Sequence, residues 1–567
     1  MNKLILLACM ALLWNGNALA QTDYSNRQQL AQRVNALTKK YPQYAKATSM
    51  VKTLGGSDIW MITLGTGKTE SKPAIAVVGG VDGKHLLGVE LAIGFAENLL
   101  ASSNTDSVRR ILESQTFYVF PNMSPDATEH YFASVKYERS GNQTELDYDR
   151  DGQKGEDGFD DLDKDGKITW MRVEDVTGKY ITHPTDPRVM VLADASKGEV
   201  GKYLLLREGI DNDQDGEFNE DPAEGVIFNR NSTYNYRNFL PGAGNHAVSE
   251  LENRALFDFL YDAFNVYAVM TFGPYNNLST PPSAGNAGGG QGAGQFGPGM
   301  GGGRQGGGRI TSWGANDARA AALISDQYNK IVGLKDAPRT ASESGDFAEW
   351  GYYHYGRLSF STPGWWVPKV AAEGDRGGAR SIGGAANTQE DPALNYLRWA
   401  AAENITGTFT DWKAVEHPDF KGKKVEVGGV HPYVMVNPPY RLVGDLVQKH
   451  TQFVVKIAEA APKIEFTDLK TEKLDNNLTR ITVKVFNSGT FPTLTTVGER
   501  SYFLKRLVVN VKTNNNQKIV SGRKTQSLGG IAGRGHVELS WLVQGTGKVV
   551  LEANNAITGN QTIEVTL

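Results

Sequence analysis

Cysteine is almost absent from this chain: of 567 residues, Cys9 alone carries a thiol. That excludes a disulfide framework and a cysteine-ligated metal cluster, and leaves packing or bound ions to hold the fold. Clustered basic charge is also missing. Lysine and arginine number 59 against 63 acidic residues, the formal charge is −4, and the basic residues are scattered, which excludes an electrostatic footprint for nucleic acid. Long apolar runs are lacking outside the opening MNKLILLACMALLWNGNALA. There Lys3, a short apolar run and Ala18-Leu19-Ala20 form the pattern of a secretory signal cut before Gln21. The run is too short to span a bilayer. A lipoprotein reading of Leu6-Leu7-Ala8-Cys9 would leave an implausibly short signal. The expectation is an exported protein, periplasmic or secreted, that does not span a membrane.

What is present, from residue 21 to 460, is an alternation of helical and strand patterns. Residues 25–42 read as an amphipathic helix with Ser25 as cap and Pro42 as stop. Residues 59–65 and 73–80 are strands by their apolar, β-branched content, 87–100 a helix, and 116–125 a strand leading into a loop. Ser249 and Glu252 have capping-box spacing before a helix over 249–264, and 266–272 is the next strand. This order predicts an α/β sheet with helices on its faces. Residues 141–225 form an Asp/Gly-rich insertion. Residues 284–309 are too glycine-rich to bury a core and read as a flexible surface loop. A last helix covers 441–460. From 463 to 567, short strands separated by Asn/Gly turns predict an all-β, immunoglobulin-like sandwich.

Within the insertion one acidic pattern recurs. Asp147, Asp149, Asp151 and Gly152 correspond to Asp211, Asp213, Asp215 and Gly216, and a shorter copy holds Asp161, Asp163 and Asp165. The two long copies close with Glu-Asp pairs that end at Asp157 and Asp221. Carboxylates at every second place, with a glycine for the sharp turn, converge on a hard cation. The bidentate glutamate of an EF-hand is replaced at the twelfth place by Gly158, Arg172 and Pro222, so these are not helix-flanked EF-hands. Structural calcium that staples the insertion is the expectation.

Several segments together resemble the zinc metallocarboxypeptidases, the carboxypeptidase A-like family, over about residues 22–460. They are GGVDGKHLLGVE, PNMSPDATEHY, ITWMR after an aspartate loop, FNRN at 228–231, GAGNHAVSELENRAL, AVMTFG, and GDFAEWGYYHYGRLSFS. The appended sandwich resembles that of secreted bacterial members. The resemblance implies a mixed sheet with helices on both faces. It also implies a zinc held by an H-x-x-E turn and a later His, a Glu as general base, and an Asn-Arg pair for the substrate carboxylate.

Laid on this chain, the H-x-x-E turn falls on Asp82 and His85, the later His on Gly273, and the general base on Pro363. The carboxylate-binding side keeps Asn229 and Arg230, with Arg172 at the oxyanion-side arginine position. Asp82 is also placed to cap the helix that begins near Leu86. Three readings follow. The first is a catalytically silent carboxypeptidase-like protein that binds peptide or peptidoglycan C-termini. The second is an active zinc metallocarboxypeptidase with a non-standard site that recruits His130 or His246. The third is a calcium-stapled binding scaffold. Trp350, Trp365 and Trp366 are candidates for a peptide or glycan surface, or for core.

Overall fold

The computed structural model describes residues 23–148, 150–222, 224–285, 310–370, 391–474 and 477–567. The expected signal segment, Asp149 and residues 286–309 of the glycine-rich stretch lie outside the described residues. The central sheet has six strands in the order Ala45–Lys52, Asp58–Leu64, Thr116–Phe120, Ala74–Val78, Val266–Phe272, Leu358–Thr362. The last four run parallel to one another and the first two are antiparallel, so the sheet is mixed.

Ala74–Val78 is apolar and buried at every position, as a strand covered on both faces must be. Its alternate residues serve two cores. Ile75 and Val77 face the helices Leu86–Ala101, Ala315–Val332 and Val443–Glu459. Ala74, Ala76 and Val78 face Leu251–Asp262 and Phe347–Tyr353 on the other side. The helix Leu86–Ala101 is apolar almost all round and nearly all of it is buried, which fixes its start at the centre of the molecule.

Two local expectations change. The helix at 251 begins after Glu250, and Ser249 Oγ donates to the Glu250 carboxylate at 2.5 Å instead of capping the helix. Trp350, Trp365 and Trp366 are buried, so they form core and not a binding surface.

The insertion is not self-contained. Its strands Trp170–Glu174, Tyr180–Thr182, Met190–Leu192 and Tyr203–Arg207 join Phe409–Val415 and Val425–Val430 in a second, antiparallel six-stranded sheet. Beyond residue 463, two four-stranded antiparallel sheets pack face to face through Ile481, Val483, Val485 and Trp541 on one side and Val509, Val511, Val549 and Leu551 on the other. That packing makes a β-sandwich. Among the described residues, no single helix is long and apolar enough to cross a membrane.

Candidate functional site

The strand Ala74–Val78 ends in Gly79-Gly80, where the chain turns toward the helix start. Gly80 has φ +61°, and a Cβ there would lie 2.3 Å from Asn122 Oδ1, so only glycine passes. The turn delivers Asp82 and His85 to the C-terminal edge of the sheet, and both are buried. Asp82 does not cap the helix. Its carboxylate accepts from the Ser140 hydroxyl at 2.8 Å and from the Lys84 N–H at 3.2 Å, while His85 occupies the cap position.

The His85 Nε2 lies 2.9 Å from the Pro363 carbonyl oxygen. Burial pushes the imidazole pKa down, against the opposing pull of Asp82 and the Pro363 carbonyl, so the ring is neutral. A neutral ring facing a carbonyl carries its proton on Nε2 and donates it. Nδ1 then keeps its lone pair, buried and without a hydrogen-bond partner, against Gly88, where a Cβ would come within 2.9 Å. Gly273 offers no ligand, and a Cβ on it would sit 2.5 Å from Val81 Cγ2. Thus the structure brings together the turn at 82–85 and the position at 363, but with a backbone carbonyl where a carboxylate would be needed.

These residues do not fit the zinc that the resemblance implies. One nitrogen of His85 is committed as a donor, the other faces a helix turn, Asp82 is held by two donors, and the third position is filled by Val81. The groups of three His, Asp or Glu close enough to hold a metal among the described residues are Asp161–Asp163–Glu208 and Asp211–Asp213–Asp215; neither includes Asp82 or His85. His130 packs against Tyr137 with its ring tilted, burial and Arg139 lower its pKa to about 4, and His246 is exposed.

The carboxylate-binding expectations divide. Asn229 is buried, donates to Asp346 Oδ2 at 3.0 Å and accepts from the Phe347 N–H at 3.0 Å, so both ends of its amide brace the start of Phe347–Tyr353. Arg230 is half-buried, with Nε on Glu343 at 2.8 Å and a terminal nitrogen on the Pro241 carbonyl at 3.1 Å. It lines a cleft of about 610 Å³ with Tyr148, Glu220, Glu224 and Phe239. Tyr148 bridges the wall, accepting from Gly242 N–H and donating to the Glu224 carbonyl. Burial raises the Glu224 pKa, opposed by the nearby charges of Arg139, Arg207 and Lys84. Arg172 lies in the second sheet, ion-paired with Glu426 at 2.8 Å between the rings of Trp412 and Tyr203, and its guanidinium is occupied there.

In the aspartate loops a common geometry repeats. Asp161 accepts from the N–H groups of Asp165 and Gly166, and Asp211 accepts from those of Asp215 and Gly216. Asp147 accepts from Arg150 and Gly152 N–H, and Asp151 is held by Gln153. The closing residues cross over. Asp157 accepts from Asn212 and Asn219 of the later loop, and Asp221 from Tyr148 and Gly155 of the earlier one. Asp165 turns to Lys167 and Thr410, and its place beside Asp161 and Asp163 is taken by Glu208. Burial raises the Glu208 pKa to about 7. Glu220 faces Asp157, finds no hydrogen-bond donor, and has its pKa pushed up to about 8 by burial and that neighbour.

Sequence reasoning missed Ser140, Glu208, Glu220 and Glu224. Only Glu220 had a signal, the repeated Glu-Asp ending of the two long loops.

Residues 30–177 match a family model described as zinc carboxypeptidase, and residues 463–566 match a domain of unknown function (DUF8731). A stretch of 111 residues is 27% identical to a carboxypeptidase E of Caenorhabditis elegans, covering 19% of this chain and 24% of that protein. Another of 119 residues is 22% identical to a zinc carboxypeptidase of Saccharothrix mutabilis subsp. capreolus, covering 20% and 27%. The chain therefore spans about a quarter of the length of these curated relatives. Among solved structures, thrombin activatable fibrinolysis inhibitor (TAFI) aligns with a TM-score of 0.40 at 9% identity, over 77% of this chain and 74% of that one.

Proposed function

From a chain that is metallocarboxypeptidase-like, we propose an exported protein that binds the C-terminal end of a peptide, a peptidoglycan stem peptide included, without hydrolysing it. The observation that carries the reading is the hydrogen bond from His85 Nε2 to the Pro363 carbonyl, which ties two positions needed for catalysis to each other. Among the described residues, neither a third metal ligand nor a carboxylate base accompanies them, and three protein ligands are the usual minimum for catalytic zinc. Arg230 is the group proposed to receive the chain-end carboxylate, because the guanidinium fork matches a carboxylate and its present partner Glu343 is largely exposed and exchangeable.

Calcium belongs to the same proposal, at the aspartate loops. Glu220, facing Asp157 without a donor, supports it, since two adjacent carboxylates need a shared proton or a cation. Glu208 would complete the set around Asp161 and Asp163.

The test is calorimetric titration with an N-acetylated tripeptide bearing a free C-terminus, and with its amide. The reading predicts saturable binding of the free acid alone, weakened about tenfold or more in Arg230→Ala, a loss within the range for charge-assisted hydrogen bonds. Chelator-sensitive release of the C-terminal residue would overturn it.

A further inference from the structure

The cleft that holds Arg230 is built in part from the two long aspartate loops. Asp147 and Tyr148 of the earlier loop and Asn219 and Glu220 of the later one line it, together with Pro241 and Gly242. The loops clasp each other through their closing residues, both fully buried. Asp221 accepts from the Tyr148 N–H at 3.2 Å and the Gly155 N–H at 2.9 Å, and Asp157 accepts from the N–H groups of Asn212 and Asn219. Between the clasps one contact is incomplete. Glu220 faces the Asp157 carboxylate, and both Glu220 carboxylate oxygens are sealed from solvent without a hydrogen-bond donor. The charged neighbours that act most strongly on it, Asp157 and Asp215, are acidic as well. Two facing carboxylates shut away from water need a shared proton or a cation. Carboxylate oxygens on irregular loops suit a hard ion of calcium's size and variable coordination.

From that contact a continuous chain of bonds leads to Arg230. Glu220 precedes Asp221, whose carboxylate fixes the Tyr148 N–H. The Tyr148 hydroxyl accepts from the Gly242 N–H at 3.0 Å. Beside Gly242, the Pro241 carbonyl accepts from the Arg230 guanidinium at 3.1 Å. The Gly242 carbonyl in turn accepts from the Ile227 N–H at 2.8 Å, and a Cβ at Gly242 would lie 2.7 Å from Ile227 Cδ1. The segment at 241–242 is therefore seated directly on the turn Phe228–Arg230 and its entry.

We propose that calcium held between Glu220 and Asp157 gates the cleft, setting Tyr148 against Gly242 and thereby positioning Arg230 for an incoming carboxylate. The inference rests on the reading of Arg230 as the chain-end receiver and of calcium at the aspartate loops, and adds that the second controls the first. Without the ion, two ionised carboxylates repel across a buried contact and the loop ends part. Tyr148 then loses the clasp that holds its backbone, and Arg230 keeps only the largely exposed Glu343 as a firm partner. Calcium and peptide each favour the same closed wall, so each tightens the other by the same factor. The bonds named here are the physical route, and the paired loop ends are the element with two arrangements. The carboxylates of Asp161, Asp163 and Glu208 take no part. None of the three lines the cleft, and Glu208 accepts from Leu162 and Thr169 beside the second sheet.

The experiment follows the full chain in calcium and in chelator by two readouts: hydrogen exchange across residues 239–245, and calorimetric titration with the N-acetylated tripeptide. Calcium should slow exchange there, and tighten the tripeptide, by about fivefold or more, the lower end of ordinary coupling between sites. Glu220→Gln supplies the missing donor to Asp157 and should protect 239–245 with no calcium present. Tyr148→Phe removes only the hydroxyl, and should still take up calcium by calorimetry while losing both effects. Calcium uptake with no change at 239–245 would overturn the gate and leave the peptide reading standing, as would a tripeptide affinity indifferent to calcium. A calcium effect that survives Tyr148→Phe undiminished would also overturn it. Calcium-dependent protection without tripeptide binding in either condition would support the gate and overturn the peptide reading alone.

Discussion

At the residue scale, the decisive group is an imidazole. His85→Ala removes the donor to the Pro363 carbonyl and leaves a buried acceptor unpaired, and should destabilise the protein by about 1–3 kcal/mol. Urea unfolding of the two proteins at one pH measures this, and metal content should not change with it. The reading of positions 82, 85, 273 and 363 rests on a resemblance in which the surrounding spacing is kept while the side chains differ. Their new partners were not legible. Ser140 reaches Asp82 from a segment 58 residues on, and a hydrogen bond of that span leaves no periodic trace. The partners of Arg172 were equally out of reach of the sequence. A motif fixes a place in an aligned pattern, but the strand that carries Arg172 pairs with Val425–Val430, more than two hundred residues later, and the guanidinium is used there.

At the scale of elements, Asn229→Ala would strip Asp346 and the Phe347 N–H of their shared partner at the start of Phe347–Tyr353. A loss of about 1–3 kcal/mol is expected from two buried groups left without it. Arg230→Ala, which breaks a surface ion pair, should stay within about 0.5 kcal/mol of wild type while losing peptide affinity. Chemical denaturation of both variants checks the contrast. The aspartate loops carry a pH signature. The Glu220 carboxyl has a folded pKa of about 8 against an ordinary value of 4.5, so without a cation the folded state holds a proton that the unfolded chain releases. Stability then falls as pH rises between those two values, and Glu208 and Glu224 act in the same direction. On the proposal that calcium takes the proton's place, the rise in Tm on adding calcium is expected to be larger at about pH 8 than at pH 5. Thermal scans with calcium and with chelator, at the two pH values, read this directly. The repeated Asp-x-Asp-x-Asp-Gly made the loops visible in the sequence. Glu208 was not visible, because it arrives from the end of a separate strand.

At the scale of the whole molecule, the sandwich is not a loose appendage. Asp317 is buried and accepts from Thr496 N–H at 2.8 Å and Tyr352 OH at 2.7 Å, Thr495 donates to the Gly356 carbonyl, and Phe503 stacks on Tyr355. Asp317→Ala should split one calorimetric transition into two, since the docking loses a group that joins Thr496 to Tyr352. The order of helices and strands in the α/β part was readable from alternating patterns, because its central strands are wholly apolar and its helices are long. The strand Ala45–Lys52 and the second sheet were not. The former has a mixed burial pattern, and the latter is assembled from short strands whose partners are distant in the chain.

The central claim is that the turn at 82–85, where the resemblance would place a zinc, is closed by its own residues. Elemental mass spectrometry of the purified protein, after dialysis against metal-depleted buffer and re-exposure to micromolar zinc, tests it most directly. The account predicts zinc well below one per chain, unchanged in Asp82→Ala and His85→Ala. About one zinc per chain, the content of a single family-type site, lost in either variant, would contradict it.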